Sequence, residues 1–268
     1  MKKVTDDGIT NVNFSIPLTR PEMLICPKHG EYCGWTIIVN GEKIESECDQ
    51  CAGEKAEQER LERDAILRAR LAESKSREAF NSSCIPPRFA SKSFKCYEPH
   101  SDETAKAKNI LGEYVMNFGR AMENGTSFLF TGGTNTGKTH LACAVGNNIM
   151  LKGRTAIYVS VLNYLSKVKK SWSANDGSSE DSEIEKYVSF DLLILDELGK
   201  GQLDAKEKGM IFRLIDRRYE ENRPTIGISK LSEANLVKLI DDDSVRRLKA
   251  GGGRNIYFGE MQYQSASF

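Results

Sequence analysis

The sequence predicts an α/β fold, in which a parallel sheet flanked by helices forms the larger part of the chain. Short apolar runs alternate with helical segments between residues 128 and 258, and such alternation is typical of a parallel sheet. The run at residues 128–130 leads into a glycine-rich loop and then an alanine- and leucine-rich helical segment at 140–151. The run at residues 192–195 ends in two acidic residues, as a central parallel strand with a functional carboxyl end does.

The composition describes a folded protein with a polar surface. Of the 268 residues, 39% are hydrophobic and 28% are charged, and the formal net charge is zero. The net charge of the chain therefore does not attract it to nucleic acid, and any binding of nucleic acid needs a local basic patch. No apolar run approaches the roughly 18–20 residues of a membrane span, and the first residues lack the apolar core of a secretory signal. We therefore expect a cytoplasmic protein that does not contact a membrane.

Two short-spaced pairs near the N-terminus predict a structural zinc site. They are Cys26 with His29 and Cys48 with Cys51. Each pair can form a tight turn that aims two side chains at one tetrahedral ion, and four ligands close a structural site. Cys33 competes with His29 for the fourth position, and we favour His29 because its spacing mirrors that of the second pair. The alternative is a set of small buried thiols with one surface histidine. The odd total of seven cysteines argues against a disulfide framework.

A hairpin and a long charged helix complete the N-terminal part. Residues 35–39, followed by a turn at 40–41, predict a β-hairpin, which gives the layout of a zinc ribbon. Residues 54–78 alternate acids and bases around widely spaced leucine and isoleucine side chains, which is typical of a solvated helix with a thin apolar stripe. This helix is either a charged connector or a surface for a partner. Pro86 and Pro87 then set an extended link.

The glycine-rich loop has the form G-x-x-x-x-G-K-T and runs from Gly132 to Thr139. Gly132 and Gly137 let the backbone curl so that successive N–H groups face a phosphate, and the start of the next helix adds the positive end of its dipole. Lys138 is placed to reach the β- and γ-phosphates of a nucleotide, and the Thr139 hydroxyl is placed to ligate Mg²⁺. The order strand, loop, helix distinguishes such a phosphate loop from a glycine-rich turn ahead of an ordinary helix.

The rest of the chain continues the alternation of strands and helices. Residues 173–181 are polar and predict a loop. The remaining helices are predicted at 104–123, 161–170, 205–221 and 232–240, and the remaining strands at 155–159, 224–229 and 254–258.

The acidic pair Asp196 and Glu197 carries the second chemical signal. At the carboxyl edge of a parallel sheet, an aspartate can hold the Mg²⁺ of a nucleotide bound to the phosphate loop. A glutamate directly after it is well placed to orient and deprotonate an attacking water. On its own, a strand that ends in two acidic residues is common and predicts little. Its position about sixty residues after the phosphate loop makes the prediction of a magnesium ligand more specific.

Three motifs resemble a known family in their order and spacing. They are TGGTNTGKTHLA, DLLILDELG and DRRYEENRPTI. They are similar to the DnaC-type helicase loaders, which are AAA+ ATPases that deliver a replicative helicase to DNA, and to the related IstB-like transposition helper ATPases. The segment NSSCIPPRF looks like the connector that precedes the ATPase core in these proteins. The resemblance covers roughly residues 80–258, and the metal segment is similar in layout to phage and prophage loaders.

The resemblance implies three segments and a set of site residues. The segments are a zinc-binding domain at 1–52, a charged helix and proline-containing linker at 53–94, and an AAA+ ATPase domain at 95–268. Asp196 is the implied Mg²⁺ ligand and Glu197 the implied hydrolytic base. Arg247 is implied to act on the ATP of a neighbouring subunit, with a surface position at a helix end as the alternative. The implied ATP-binding residues are Gly132, Gly133, Thr134, Asn135, Thr136, Gly137, Lys138, Thr139 and His140.

The function implied is that of a helicase loader whose cofactors are ATP, Mg²⁺ and Zn²⁺. Its expected partners are a replicative DNA helicase, single-stranded DNA, and further copies of this chain on ATP binding. The segment from Tyr164 to Trp172 lies where such loaders contact single-stranded DNA, with lysines for the backbone and aromatic rings for the bases. The alternative is that Tyr164 and Leu165 are core residues and the lysines are solvated.

Two other functions stay open. One is a transposition helper, although the metal segment favours the loader. The other is an adaptor that keeps ATP as a structural ligand without hydrolysing it. It is motivated by two departures from the family pattern, Lys230 where an asparagine is usual and Gln264 where an arginine follows an aromatic residue. With a third departure, Asp243 where an arginine is usual, they argue against fast hydrolysis more than against ATP binding.

Overall fold

The computed structural model describes residues 21–39, 42–172 and 179–260. The chain divides into two compact units, Met1–Leu71 and Ala72–Phe268. The three predicted segments, 1–52, 53–94 and 95–268, stay predictions. The predicted turn at 40–41, most of the predicted loop at 173–181, and Gln264 lie outside the described residues.

The first unit contains two antiparallel hairpins. Strand β1 (Glu22–Cys26) pairs with β2 (Gly30–Gly34), and β3 (Thr36–Val39) pairs with β4 (Glu42–Glu45). The second hairpin is the predicted one. The first was not predicted, because its strands are short and the chain between them carries metal-type residues rather than a typical turn sequence. Gly30 begins β2 with a φ of +83°, a conformation that favours glycine.

A helix of 34 residues, α1 (Asp49–Ser82), follows the hairpins. It is longer at both ends than the predicted 54–78. Its leucine and isoleucine side chains between residues 61 and 71 are exposed, and Arg63 pairs with Glu59 one turn earlier at 3.8 Å. The short helix α2 (Pro87–Ala90) begins at the second proline of the link, where proline fits a first helical position.

The predicted helix at 104–123 is two helices, α3 (Asp102–Met116) and α4 (Phe118–Asn124). They are separated at Asn117, whose ψ of 27° leaves the helical region and whose side-chain amide donates to the Glu113 carbonyl. The same carbonyl also accepts the Asn117 backbone N–H at 3.0 Å. Gly125 ends α4 in the left-handed conformation, with a φ of 64°.

The second unit is built on a five-stranded parallel sheet with the strand order β6 (Ala156–Ser160), β7 (Leu192–Leu198), β8 (Thr225–Ser229), β5 (Phe128–Thr131) and β9 (Asn255–Tyr257). This confirms the predicted sheet. The elements after α4 are, in chain order, β5 (Phe128–Thr131), α5 (Lys138–Leu151), β6 (Ala156–Ser160), α6 (Val161–Ser171), α7 (Glu180–Val188), β7 (Leu192–Leu198), α8 (Ala205–Glu220), β8 (Thr225–Ser229), α9 (Glu233–Leu239), α10 (Asp242–Arg247) and β9 (Asn255–Tyr257).

The core lies on both faces of the sheet. Alternate residues of a strand face opposite sides, so Ile194 of β7 packs in one cluster with α3 and α5, while Leu193 and Leu195 pack in the other with α6, α7 and α8. Both faces are therefore covered by helices, as the near-continuous apolar runs of the central strands require. In the part of the chain that the structure describes, no helix is long and apolar enough to cross a membrane.

Helix α7 was not predicted from the sequence. The C-terminal end of this helix is held by hydrogen bonds from a buried arginine. Arg218 of α8 is fully buried. Its guanidinium donates to the carbonyls of Tyr187 at 2.6 Å, Phe190 at 3.0 Å and Pro224 at 2.6 Å, and to the Thr225 hydroxyl at 2.9 Å. Burial lowers the pKa of Arg218 to about 9. Carbonyl groups at the end of α7 and before β8 thus obtain donors deep in the unit.

Candidate nucleotide and metal sites

The phosphate loop joins β5 to α5 and folds around its own lysine. The Lys138 ammonium lies 2.8 Å from the Gly132 carbonyl oxygen and 3.0 Å from the Thr136 hydroxyl, and it also donates to the Gly133 carbonyl. Burial lowers the pKa of Lys138 to about 8; the Asp196 carboxylate raises it and the Lys230 charge lowers it. The Lys138 ammonium is thus held within the loop by oxygen atoms of the loop itself, and its N–H groups are donors that could bind an anion instead.

Two glycines of the loop are required by its geometry. Gly132 has a φ of +135° and Gly137 a φ of +87°, conformations that residues with side chains rarely adopt. A Cβ on Gly137 would lie 2.6 Å from the Tyr97 ring, and one on Gly132 would lie 2.8 Å from the Gly259 carbonyl oxygen. The close approach of these neighbours leaves no space for any other residue.

The loop and the strand that bears the acids meet at Asp196. The Thr139 hydroxyl donates to Asp196 Oδ2 at 2.9 Å, and the Tyr158 hydroxyl donates to the same oxygen at 2.9 Å. Asp196 is buried in the C-terminal half of β7. A carboxylate and a hydroxyl oxygen side by side are the hard donors that suit Mg²⁺. Tyr158 was missed by the sequence analysis because its position in β6 gives no sign that it reaches across to β7.

Glu197 is held in a strained conformation beside Asp196. Its φ of +62° is unusual for a residue with a side chain. Its backbone N–H donates to Asp196 Oδ1 at 2.6 Å, and its carboxylate pairs with Lys200 at 2.7 Å. Strain of this kind often accompanies functional sites. Lys200 was not singled out from the sequence, although a lysine three residues after the acid was a visible signal.

Tyr97 and His140 lie together beside the loop. Their ring centroids are 5.2 Å apart in an edge-to-face arrangement. The Tyr97 hydroxyl donates to the Thr136 carbonyl at 3.4 Å. His140 Nε2 is buried and, within the described residues, has no hydrogen-bond partner; burial lowers the pKa of His140. Tyr97 comes from the chain before α3, and no local sequence pattern indicates this contact.

Arg247 lies against α8 in this chain. Its guanidinium pairs with Asp216 at 2.8 Å and lies over the Phe212 ring at 4.8 Å and the Tyr219 ring at 5.6 Å. Arg246 is exposed and pairs with Asp243. The action of Arg247 on a neighbouring subunit stays a prediction, and it would require this side chain to leave Asp216.

The first unit brings four metal-type side chains together. The ligand atoms of Cys26, His29, Cys48 and Cys51 all lie within 4.8 Å of one another. Cys33 is exposed and lies outside this cluster. Three thiols and one imidazole form a donor set that suits tetrahedral Zn²⁺.

The surroundings of this cluster also suit a metal. His29 Nδ1 faces the thiols, at 3.3 Å from Cys51 Sγ, while its Nε2 lies 3.3 Å from the Glu54 carboxylate. A carboxylate on the far nitrogen orients a ligating histidine. Hydrogen bonds from the backbone N–H groups of Lys28 and His29 lower the pKa of Cys26 to about 6, which favours the thiolate that binds metal.

The predicted DNA-contact segment divides between core and surface. Tyr164 and Leu165 are buried, and the Tyr164 hydroxyl donates to the Met210 carbonyl at 3.0 Å. Both are core residues, as the alternative interpretation of this segment expects. Trp172 is half exposed, and its indole N–H donates to Glu180 at 3.1 Å. Lys169 pairs with Glu207 at 2.6 Å.

Comparisons with known proteins give a consistent result. A family model described as IstB-like ATP binding protein matches residues 55–246. The chain is 32% identical over 222 residues to the replicative helicase loader DnaC of Buchnera aphidicola subsp. Schizaphis graminum, with 83% of this chain and 88% of the relative covered. It is 30% identical over 203 residues to the replicative helicase loader DnaC of Escherichia coli strain K12, with 76% and 81% covered.

Solved structures show the fold. A crystal structure of the DnaC helicase loader has a TM-score of 0.57 at 21% identity and covers 64% of this chain and 99% of that one. The structure of AMPPCP-bound DnaA from Aquifex aeolicus has a TM-score of 0.52 at 21% identity and covers 65% of this chain and 51% of that one. At these identities the similarity concerns the fold alone, which is the AAA+ fold predicted for this chain.

Proposed function

The chain belongs to the family of IstB-like ATP binding proteins and is a member of its DnaC-like helicase loader group, and from this premise we propose that it loads a replicative DNA helicase onto DNA with ATP as a switch. The main support for nucleotide binding is the hydrogen bond that Thr139 donates to Asp196. Because of this bond, the phosphate loop and the acid-bearing strand are already in contact, and no large movement is needed to bring Thr139 and Asp196 together. The resemblance of motifs noted in the sequence is confirmed by the family match.

ATP is proposed to bind with its phosphates on residues 132–139 and its β- and γ-phosphates near Lys138. Thr139 and Asp196 would hold Mg²⁺, which supplies positive charge to the phosphates. Binding requires the Lys138 ammonium to exchange the loop carbonyls for phosphate oxygens, which are charged and therefore stronger acceptors.

The nucleotide site is tested with Lys138→Ala, with Lys106→Ala at an exposed position of α3 as a matched control. We expect the first variant to lose ATP binding and to keep its melting temperature without nucleotide to within a few degrees, and we expect the control to bind as the wild type does. Calorimetric titration with ATP and Mg²⁺ measures this. ATP affinity that is unchanged in Lys138→Ala would refute the assignment.

Hydrolysis is proposed to use Glu197 as the base for water. Its ion pair with Lys200 and its strained backbone support slow turnover, because the carboxylate must leave a cation before it can accept a proton. We expect Glu197→Gln to bind ATP but to lose steady-state phosphate release. A wild-type protein without measurable turnover, with and without single-stranded DNA, would favour the adaptor that keeps ATP as a structural ligand.

The partners of the loader are proposed to be a replicative helicase and single-stranded DNA, with self-association when ATP binds. The cluster of Cys26, His29, Cys48 and Cys51 would hold Zn²⁺ and stabilise a helicase-binding unit. Exposed Lys170 and Trp172 on and after α6 offer a charge for a phosphate and a ring for a base. The exposed hydrophobic side chains of α1 support a protein partner.

Two binding experiments test these partners. Copurification with a replicative helicase, compared with a transposase, separates the loader from the transposition helper; capture of the transposase alone would contradict the proposal. For DNA, the double variant Lys170→Glu with Trp172→Ala is expected to weaken binding of a labelled oligothymidylate by at least about tenfold, while Lys106→Glu is expected to have little effect. Equal anisotropy titrations for the two variants would exclude this surface.

A further inference from the structure

The side chain of Tyr158 crosses from β6 to the acid-bearing strand β7. In the register of the two strands, Tyr158 lies opposite Ile194, and Asp196 lies two residues farther along β7 on the same face. With strands about 4.8 Å apart and a rise of about 3.3 Å per residue, this diagonal is roughly 8 Å between Cα atoms. A tyrosine is long enough to span it, and its hydroxyl donates to Asp196 Oδ2 at 2.9 Å.

Three hydrogen bonds fix the Asp196 carboxylate. Its Oδ2 accepts the hydroxyls of Thr139 and Tyr158, each at 2.9 Å, and its Oδ1 accepts the Glu197 backbone N–H at 2.6 Å. Thr139 is itself a proposed Mg²⁺ ligand, and Glu197 belongs to the acidic pair. Tyr158 is the donor among these three that has no other proposed part in the site. A phenol has an ordinary pKa of about 10, so at neutral pH it keeps the proton that it donates.

The backbone of Tyr158 is held on both sides of β6. On one side β6 pairs with β7. On the other side, the Tyr158 backbone N–H donates to the Ser83 carbonyl, in the segment before α2, at 2.7 Å. Ser83 is buried, and its hydroxyl donates to the Phe80 carbonyl at 2.7 Å and accepts the Ile85 N–H at 3.3 Å. The ring of Tyr158 therefore reaches Asp196 from a fixed starting point.

We propose that Tyr158 is a positioning residue for the magnesium site, whose hydroxyl holds the Asp196 carboxylate in the orientation that binds the Mg²⁺ of a bound nucleotide. This rests on the proposed binding of ATP with Mg²⁺ at Thr139 and Asp196. A carboxylate that is already oriented loses less rotational freedom when it meets the ion. Partners that orient metal ligands contribute about ten- to a hundredfold to metal affinity. Binding of the nucleotide without the ion does not use Asp196, so the contribution of Tyr158 is confined to the magnesium complex.

The test measures how much Mg²⁺ increases the affinity for a non-hydrolysable ATP analogue. Calorimetric titrations in Mg²⁺ and in EDTA give two dissociation constants, and their ratio is the gain from the ion. We expect Tyr158→Phe to lower this gain about tenfold and to change the dissociation constant in EDTA less than about twofold. The matched control is Tyr114→Phe, which removes the buried hydroxyl that donates to the Thr126 carbonyl ahead of β5. It is expected to keep the wild-type gain.

A double-variant comparison separates positioning from a structural effect. Because Tyr158 is proposed to act through Asp196, Tyr158→Phe should change the gain less than about twofold in a protein that already carries Asp196→Asn. The same fall in both backgrounds would overturn the inference, as would an unchanged gain in Tyr158→Phe or an equal weakening in Mg²⁺ and in EDTA.

Failure of the proposed function has a different signature. A wild-type protein that does not bind the analogue, or that gains no affinity from Mg²⁺, would remove the proposed ATP and Mg²⁺ site itself. Melting curves recorded without nucleotide identify a variant that has failed to fold, and in that case Tyr158→Leu replaces Tyr158→Phe under the same criteria.

Discussion

The affinity for ATP is predicted to fall as the pH rises above about 8, because Lys138 loses its charge. Burial lowers the pKa of this lysine to about 8 in the free protein. In the complex, adjacent phosphate charges favour the ammonium form and raise the pKa. The sign follows from this difference: binding is strongest below the free-protein pKa, and it weakens as the pH rises through that value towards the higher pKa of the complex.

The magnitude follows from the charged fraction of the free protein. With a pKa of about 8, roughly nine-tenths of Lys138 is charged at pH 7 and roughly one-tenth at pH 9, so the dissociation constant should rise about tenfold between these values, or about 1.4 kcal/mol. The phosphates of ATP are already ionised in this range, and they contribute no opposing slope. At pH 8, binding should take up about half a proton per nucleotide.

The assay is calorimetric titration with ATP and Mg²⁺ at half-unit steps from pH 7 to pH 9.5. Repeating the pH 8 titration in two buffers with different ionisation enthalpies gives the number of protons taken up. A melting curve without nucleotide at each pH checks that the fold is retained. A dissociation constant that stays level from pH 7 to pH 9, with no proton uptake, would show that Lys138 has an ordinary pKa and would refute the reasoning from burial.

Three further predictions concern other parts of the molecule. Lys200→Ala removes the cation that holds the proposed base and should raise steady-state ATP turnover about two- to fivefold, the worth of an exposed ion pair; slower turnover would contradict this. Cys51→Ser should lose most of its bound zinc, whereas Cys33→Ser should keep one ion per chain, as measured by atomic absorption on purified protein. The reverse result would show that Cys33, and not Cys51, is a zinc ligand. Arg218→Met should lower the free energy of unfolding by about 3 kcal/mol or more, because buried carbonyls lose their donors, while Arg217→Met on the exposed face of the same helix should change it by less than about 0.5 kcal/mol.

The parallel sheet and its nucleotide loop could be predicted because their signals are local. The curl of the loop needs glycine at 132 and 137, and a buried strand needs the run of apolar residues before Asp196. Backbone conformation and burial on both faces act on each residue type directly, so a few adjacent residues carry the signal. The same holds for the ligand pairs at Cys26 and Cys48, whose spacing alone suggests a metal.

Other features depend on contacts between residues far apart in the chain. Tyr158 reaches Asp196 from the neighbouring strand, and Tyr97 covers Gly137 from a segment forty residues earlier. The break between α3 and α4 at Asn117 leaves no clear mark in the helical pattern of the sequence around it. The burial of Tyr164 depends on the packing of α6 against its neighbours.

A parallel α/β core, a phosphate loop, a strand with two adjacent acids and two metal-type pairs could be predicted from the residues alone, because each of these is encoded within a few consecutive residues. The folded chain was needed to show that Thr139 bonds to Asp196, that Glu197 is paired with Lys200 and that Arg247 lies against α8. These contacts depend on the fold because a charged group acquires its partner, its burial and its pKa from the strands and helices that lie beside it.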